Sequence, residues 1–150
     1  MLKELLNEKT VEVKVKAQDW KDAVKIGGEL LEKDGKIEHR YIEAMVETVN
    51  KIGAYIVIAP GLAMPHARPE CGAKEIGMSL ITLENPVPFG NEEYDPVDLV
   101  ILFCAVDNSS HIKLLAEFME LIEDEDFLST ARIADNKTSI LNYIKNKQYS

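Results

Sequence analysis

Three histidines occur in the chain, His39, His66 and His111, and histidine is the side chain whose neutral, nucleophilic form is substantially populated at pH 7. Two of them stand where chemistry is plausible. His66 follows Pro60-Gly61-Leu62-Ala63-Met64-Pro65, an uncharged turn whose prolines and glycine fix the backbone. A side chain projected from so stiff a loop is pre-organised for nucleophilic or ligand work; the competing reading is a half-buried loop histidine bonded to a carbonyl. His111 follows Asn108, Ser109 and Ser110 at the end of the most apolar run, and any of those three can cap a helix there. The open N–H groups and positive dipole end of a helix start form an anion site, and ligands of open α/β sheets gather at the carboxyl ends of strands. There the imidazole can donate to a phosphoryl oxygen, or else extend the apolar face of Leu114, Leu115, Phe118 and Ile122. If both histidines lie at one end of a sheet, one can attack phosphorus while the other binds its oxygens, and the resulting N–P bond is labile enough to pass the group onward. His39, between Glu38 and Arg40, reads as a solvated surface residue.

Other constellations are weaker. No Gly-x-x-x-x-Gly-Lys-Ser/Thr loop occurs, which argues against a nucleotide donor held by a P-loop. Ser109-Ser110-His111 lacks the Gly-x-Ser-x-Gly elbow of a hydrolase. A zinc site from His66, His111 and Cys71 or Glu70 has no recognised ligand spacing, so no metal or cofactor is expected. Arg68 and Ser110 are the remaining candidates for binding a phosphoryl group, Arg68 alternatively bridging to Glu70. The acidic residues Glu92, Glu93, Asp95 and Asp98 form either a docking rim or a solvated face.

The elements that must position these residues alternate along the chain. Asp19 to Lys33 reads as a helix capped by Asp19 and ended by Asp34-Gly35, and Glu38 to Asn50 as a second, with Ile42, Met45, Val46 and Val49 on one face. The period then shortens. Tyr55–Ala59 reads as a buried strand stopped by Pro60-Gly61, Met78–Leu83 as another closed by Asn85-Pro86, and Pro86 to Asp95 as loop. Val97–Val106 is the best candidate for a central strand covered on both faces, and the alternating Val11–Val15 for a strand near a sheet edge. Helices follow from about His111 to Glu123 and around Ile140, Leu141 and Ile144. Interleaved helices and strands predict one α/β domain over residues 1–150, a mixed sheet flanked by helices on both faces.

A chain of 150 residues leaves little room for two cores. Its 17 Lys+Arg against 26 Asp+Glu give a net charge of −9, which disfavours a phosphate-backbone partner and suits either a basic protein partner or simple solubility. Cys71 and Cys104 form no Cys-x-x-Cys pair, and no stretch reaches the ~18 apolar residues of a membrane span. A cytoplasmic, reducing setting is expected.

The segment Ala59-Pro60-Gly61-Leu62-Ala63-Met64-Pro65-His66-Ala67-Arg68-Pro69-Glu70 resembles the active-site loop of the type-2, mannitol/fructose-class enzyme IIA components of the bacterial phosphoenolpyruvate-dependent sugar phosphotransferase system (PTS). Tyr41-Ile42-Glu43-Ala44-Met45, Asp95-Pro96-Val97-Asp98 and Asn108…His111 resemble that family in order and spacing, so the resemblance runs from about Leu2 to Asn146. It implies a mixed sheet flanked by helices. It also implies that His66 accepts a phosphoryl group, as a tele-phosphohistidine, from the phosphocarrier HPr and passes it to a cysteine of a cognate enzyme IIB serving a membrane enzyme IIC. His111 would stabilise the phosphoryl group without carrying it. HPr's docking face is typically basic in this family, which suits the −9 charge. The Pro-Gly-Leu-Ala-Met-Pro-His and Arg-Pro-Glu pieces are most similar to the branch for L-ascorbate uptake, where Gly usually follows the active-site histidine; here Ala67 does. Mannitol-type members carry an arginine where this chain has Thr48, and Arg68 is the candidate substitute. The rival expectation is a regulatory module of the same kind, whose phosphorylation state is read by a transcription factor or transporter without sugar transport. A third is a small metal-binding or hydrolytic enzyme.

Overall fold

A computed structural model describes residues 1–149. In chain order the elements are α1 (Leu2–Leu5), β1 (Val11–Val15), α2 (Trp20–Lys33), α3 (His39–Ile52), β2 (Val57–Ala59), β3 (Leu62–Ala63), a 3-10 turn (Pro69–Cys71), β4 (Gly77–Val87), β5 (Val97–Cys104), α4 (Asn108–Ile122), α5 (Glu125–Ile133) and α6 (Lys137–Asn146). The strands form one mixed sheet in the order β1-β4-β5-β3-β2. β1 runs parallel to β4 and β3 parallel to β5, whereas β4–β5 and β2–β3 are antiparallel. The apolar run of β5 is thus the central strand, and β1 an edge, as the sequence pattern predicts. Alternation along β5 sends Val100, Leu102 and Cys104 into a core shared with α2 and α3. Leu99, Ile101 and Phe103 enter a second core beneath α1, α4, α5 and α6, so the sheet is covered on both faces.

Local chemistry sets most boundaries. The Asp19 carboxylate accepts the Asp22 N–H at 2.8 Å to start α2, and Gly53, at φ 83°, terminates α3. Four expectations need correction. β4 does not stop at Asn85-Pro86 but continues to Val87; its pairing with β5 shifts between Thr82 and Val87, and an irregularity of this kind tolerates a residue with no N–H to donate. The stretch from Pro86 is therefore not all loop. The first strand of the Tyr55–Ala59 run begins only at Val57, and Leu62–Ala63, read from its prolines as turn, is inserted as β3 between β5 and β2. α4 starts at Asn108 and is capped by Asp107, not by Asn108, Ser109 or Ser110. α1 and α5 had no strong periodic signal, α1 being one turn and α5 burying only Phe127 and Ala131.

α5 nevertheless bears on the site. Arg132 binds Asp98 Oδ1 at 3.0 Å and the Pro60 carbonyl at 2.7 Å, holding the β2–β3 turn where Gly61 adopts φ 71°. Asp95 accepts the N–H groups of Phe89, Gly90 and Asn91 at 2.9, 2.8 and 2.9 Å. Two members of the acidic cluster are thus structural carboxylates, and only Glu92 and Glu93 are freely exposed.

Candidate functional site

The loop after β3 is tied down on both sides of His66. Ahead of it, the Met64 N–H donates to the Ile56 carbonyl at 2.8 Å and the Phe103 N–H to the Pro65 carbonyl at 3.4 Å. Behind it, the Ala67 N–H donates to the Tyr41 hydroxyl at 2.9 Å. The His66 ring stacks on Phe103, centroids 4.7 Å apart and planes 21° apart. Phe103 meets His111 edge-on at 5.3 Å and 73°. One buried ring near the carboxyl end of β5 therefore gathers both histidines, and the condition that they share one end of the sheet is met.

His66 Nδ1 lies 2.9 Å from the Met64 carbonyl. A carbonyl only accepts, so Nδ1 carries the proton and Nε2 the lone pair. The loop histidine bonded to a carbonyl and the nucleophile are thus compatible descriptions of one residue. Burial disfavours the imidazolium and holds the pKa of His66 below its usual 6.5; the Met64 carbonyl opposes this, and the nearby His111 adds to it.

Both histidines line an open cavity of about 600 Å³ with Thr48, Lys51, Arg68 and Asp107 among its other walls. Arg68 is exposed and makes no ion pair among the described residues; it does not bridge to Glu70, whose carbonyl instead receives Arg40 at 3.0 Å. Thr48 donates its hydroxyl to Ala44 O at 2.8 Å. Lys51, which the sequence reading passed over, brings a second cation to the cavity, shared with Glu47 at 3.0 Å.

The start of α4 is less open to an anion than expected. Asp107 Oδ1 accepts the Ser110 N–H at 2.7 Å and the Ser110 hydroxyl at 2.9 Å, and the His111 N–H is bonded to the Asp107 carbonyl at 3.2 Å. Ser110 is therefore engaged in capping and lies outside the cavity lining. The bonds from Ser110 to the carboxylate, its N–H foremost and then its hydroxyl, hold the Asp107 carboxyl below its usual pKa. What α4 offers the cavity is the His111 imidazole rather than a row of free N–H groups. His39 lies apart, exposed and 3.0 Å from Glu32. Cys71 lines the cavity and Cys104 is buried, both as free thiols, and no three His, Cys, Asp or Glu side chains are grouped to hold a metal among the described residues.

A family model described as the phosphoenolpyruvate-dependent sugar phosphotransferase system, EIIA 2, matches residues 4–147. The chain belongs to this family. EIIA components are phosphotransferases in the sugar-phosphorylation relay. The ascorbate-specific PTS EIIA components of Shigella boydii and Escherichia coli K12 are each 40% identical over 141 residues, 93% of this chain and 92% of theirs. The solution structure of the mannitol-specific cryptic enzyme IIA CmtB of Escherichia coli is 35% identical, with a TM-score of 0.89 over 97% of this chain and 99% of that one. The enzyme IIA of the Escherichia coli complex between IIAMtl and phosphorylated IIBMtl, at 22% identity, shares the fold with a TM-score of 0.82 over 95% of this chain and 100% of that one.

Tyr41 and Phe103, like Lys51, are site residues that sequence reasoning did not single out for chemistry. Phe103 lies within the apolar run of β5, and Tyr41 is outside the Ile42, Met45, Val46 and Val49 repeat of α3 and enters the sequence reading only through the family resemblance. The available signal is the phenol of Tyr41, since a buried tyrosine hydroxyl needs a polar partner.

Proposed function

We propose that this EIIA accepts a phosphoryl group on His66 Nε2 from phosphorylated HPr and delivers it to a cysteine of a cognate enzyme IIB, serving a membrane enzyme IIC for an ascorbate-like sugar acid. The observation that carries this reading is the Nδ1 bond to the Met64 carbonyl, which leaves the Nε2 lone pair on a neutral ring lining an open cavity. The Nε2 lone pair forms the new N–P bond while the donor's N–P bond breaks, its electron pair returning to the donor imidazole. In the second transfer a thiolate attacks phosphorus and the pair returns to Nε2. His111, Arg68 and Lys51 supply positive or donor groups for the phosphoryl oxygens, where preorganised donors act on developing charge; Ser110 contributes by capping α4. The 40% identity to ascorbate-specific components supports the substrate branch, with Ala67 a point of departure. We place the relay in the cytoplasm: no described helix is long and apolar enough to cross a membrane, and both cysteines are free, as in a reducing compartment.

The test is incubation with phosphoenolpyruvate, enzyme I and HPr, followed by analysis for an acid-labile, alkali-stable phosphate. Wild type should be labelled on His66 and His66→Ala unlabelled; equal labelling of the two defeats the reading. His111→Ala should retain labelling on His66 but transfer poorly to enzyme IIB.

A further inference from the structure

Tyr41 is fully buried, and its hydroxyl takes no part in the chemistry above. A buried phenol requires one polar partner; this one has three polar neighbours, all on the two segments that hold His66. It accepts the Ala67 N–H at 2.9 Å and lies 3.0 Å from the Ala67 carbonyl and 3.1 Å from the Phe103 carbonyl. It accepts from Ala67 through a lone pair and has one proton to share between the Ala67 and Phe103 carbonyls; directed to Phe103, that proton bridges the residue after His66 to the backbone of the residue whose ring lies against His66. The alternative tie between the same segments, Phe103 N–H to the Pro65 carbonyl, is long at 3.4 Å. Burial disfavours the phenolate and pushes the Tyr41 pKa far up, so the hydroxyl keeps its proton throughout the working range. The methyl group of Ala67 packs against the same core as Tyr41, which closes the loop on that side.

We propose that the Tyr41 hydroxyl is a positioning residue for His66, tying Ala67 to Phe103 so that the imidazole stays stacked with Nδ1 on the Met64 carbonyl and Nε2 as the sole nucleophilic nitrogen. Without this tie the ring gains freedom to leave Met64 and to adopt the Nε2–H tautomer, which has no lone pair at the attacking atom. Misplacement of a reacting group by about 1 Å costs roughly 100-fold in rate, and partial population of the wrong geometry costs less.

The inference rests on His66 being the acceptor, and its test separates the two. In the full-length chain, Tyr41→Phe should lower kcat for phosphoryl acceptance from phospho-HPr by about 10- to 100-fold, with KM unchanged because Tyr41 is out of a partner's reach. In the unphosphorylated protein, where no donor is involved, ¹⁵N spectra of wild type should show a protonated Nδ1 and an unprotonated Nε2 at His66. In Tyr41→Phe the two resonances should move toward one another. Wild-type kcat in the variant, or a slowed variant with the wild-type tautomer signature, overturns the proposal. Hydrogen exchange of the wild-type Ala67 amide needs no variant: strong protection is expected, and exchange at the rate of a free loop amide overturns the proposal even if Tyr41→Phe fails to fold. Labelling that persists in His66→Ala removes the acceptor reading instead, and leaves the tautomer and exchange measurements to be judged by themselves.

Discussion

At the residue scale, burial favours the form of His66 that the proposed transfer needs. Desolvation raises the cost of the imidazolium, so the ring remains neutral at pH values where a solvated histidine is already half protonated. Attack on phosphorus needs that neutral form. Phosphoryl acceptance should therefore show an acid limb whose midpoint lies below 6.5, at the lowered pKa of the folded protein. A pH profile of single-turnover acceptance, with the donor phosphorylated beforehand, measures this; a midpoint at or above 6.5 contradicts it. Stability follows the same sign. Above the unfolded-state value neither state binds the proton; as pH falls below it the unfolded chain protonates first, and the His66 contribution is lost down to the folded pKa. His66 and His111 are legible in the sequence because their residue type and their settings, a rigid turn and a helix start, are local properties. The roles of Tyr41 and Phe103 depend on contacts across 62 positions, Tyr41 hydroxyl to Phe103 carbonyl, and no local pattern carries them.

At the scale of elements, long periodic segments were readable and short ones were not. α2 and α3 each bury a regular face and β5 is buried on both of its faces, and so all three appear in the sequence close to their observed bounds. β3 has two residues, too few to show a period, and owes its place to pairing with β5 and β2 rather than to its own preference. Its position depends on the turn before it. Gly61 adopts φ 71°, and a Cβ there would lie 2.9 Å from the Arg132 guanidinium and 3.0 Å from Asp98 Oδ1. Gly61→Ala should thus lose about 1–2 kcal/mol to the left-handed backbone alone, with a further loss as the Arg132–Asp98 pair is displaced. Urea denaturation measures the sum. Because β3 leads directly into the His66 loop, the variant should also transfer phosphate more slowly at temperatures where it remains folded. Unchanged stability would mean that the turn relaxes freely and that α5 does not brace it.

At the scale of the whole molecule, the net charge of −9 and the surface around the cavity act over different ranges. Charge guides encounter over roughly a Debye length, about 8 Å at physiological ionic strength, whereas residence depends on what is buried on contact. Ile52 and Tyr55 line the cavity, and Val106 and Ile112 adjoin Asp107 and His111; these four side chains are 50, 63, 45 and 68% exposed. Apolar groups so exposed, and so close to the histidines, suit a protein partner that must bring its own phosphoryl group to His66. Ile112 separates the two contributions. It is directed mostly to solvent, so Ile112→Gln should change stability by no more than about 0.5 kcal/mol. It should raise KM for phospho-HPr several-fold at every salt concentration, by placing an uncharged amide where an apolar contact is made. In wild type, KM should rise as salt is added, because screening weakens attraction between an acidic chain and the basic donor that the proposed relay implies. Parallel curves for the two proteins, offset but equally steep, are the expected result of titrating transfer against sodium chloride. An Ile112→Gln curve that coincides with wild type would place the docking face elsewhere on the molecule.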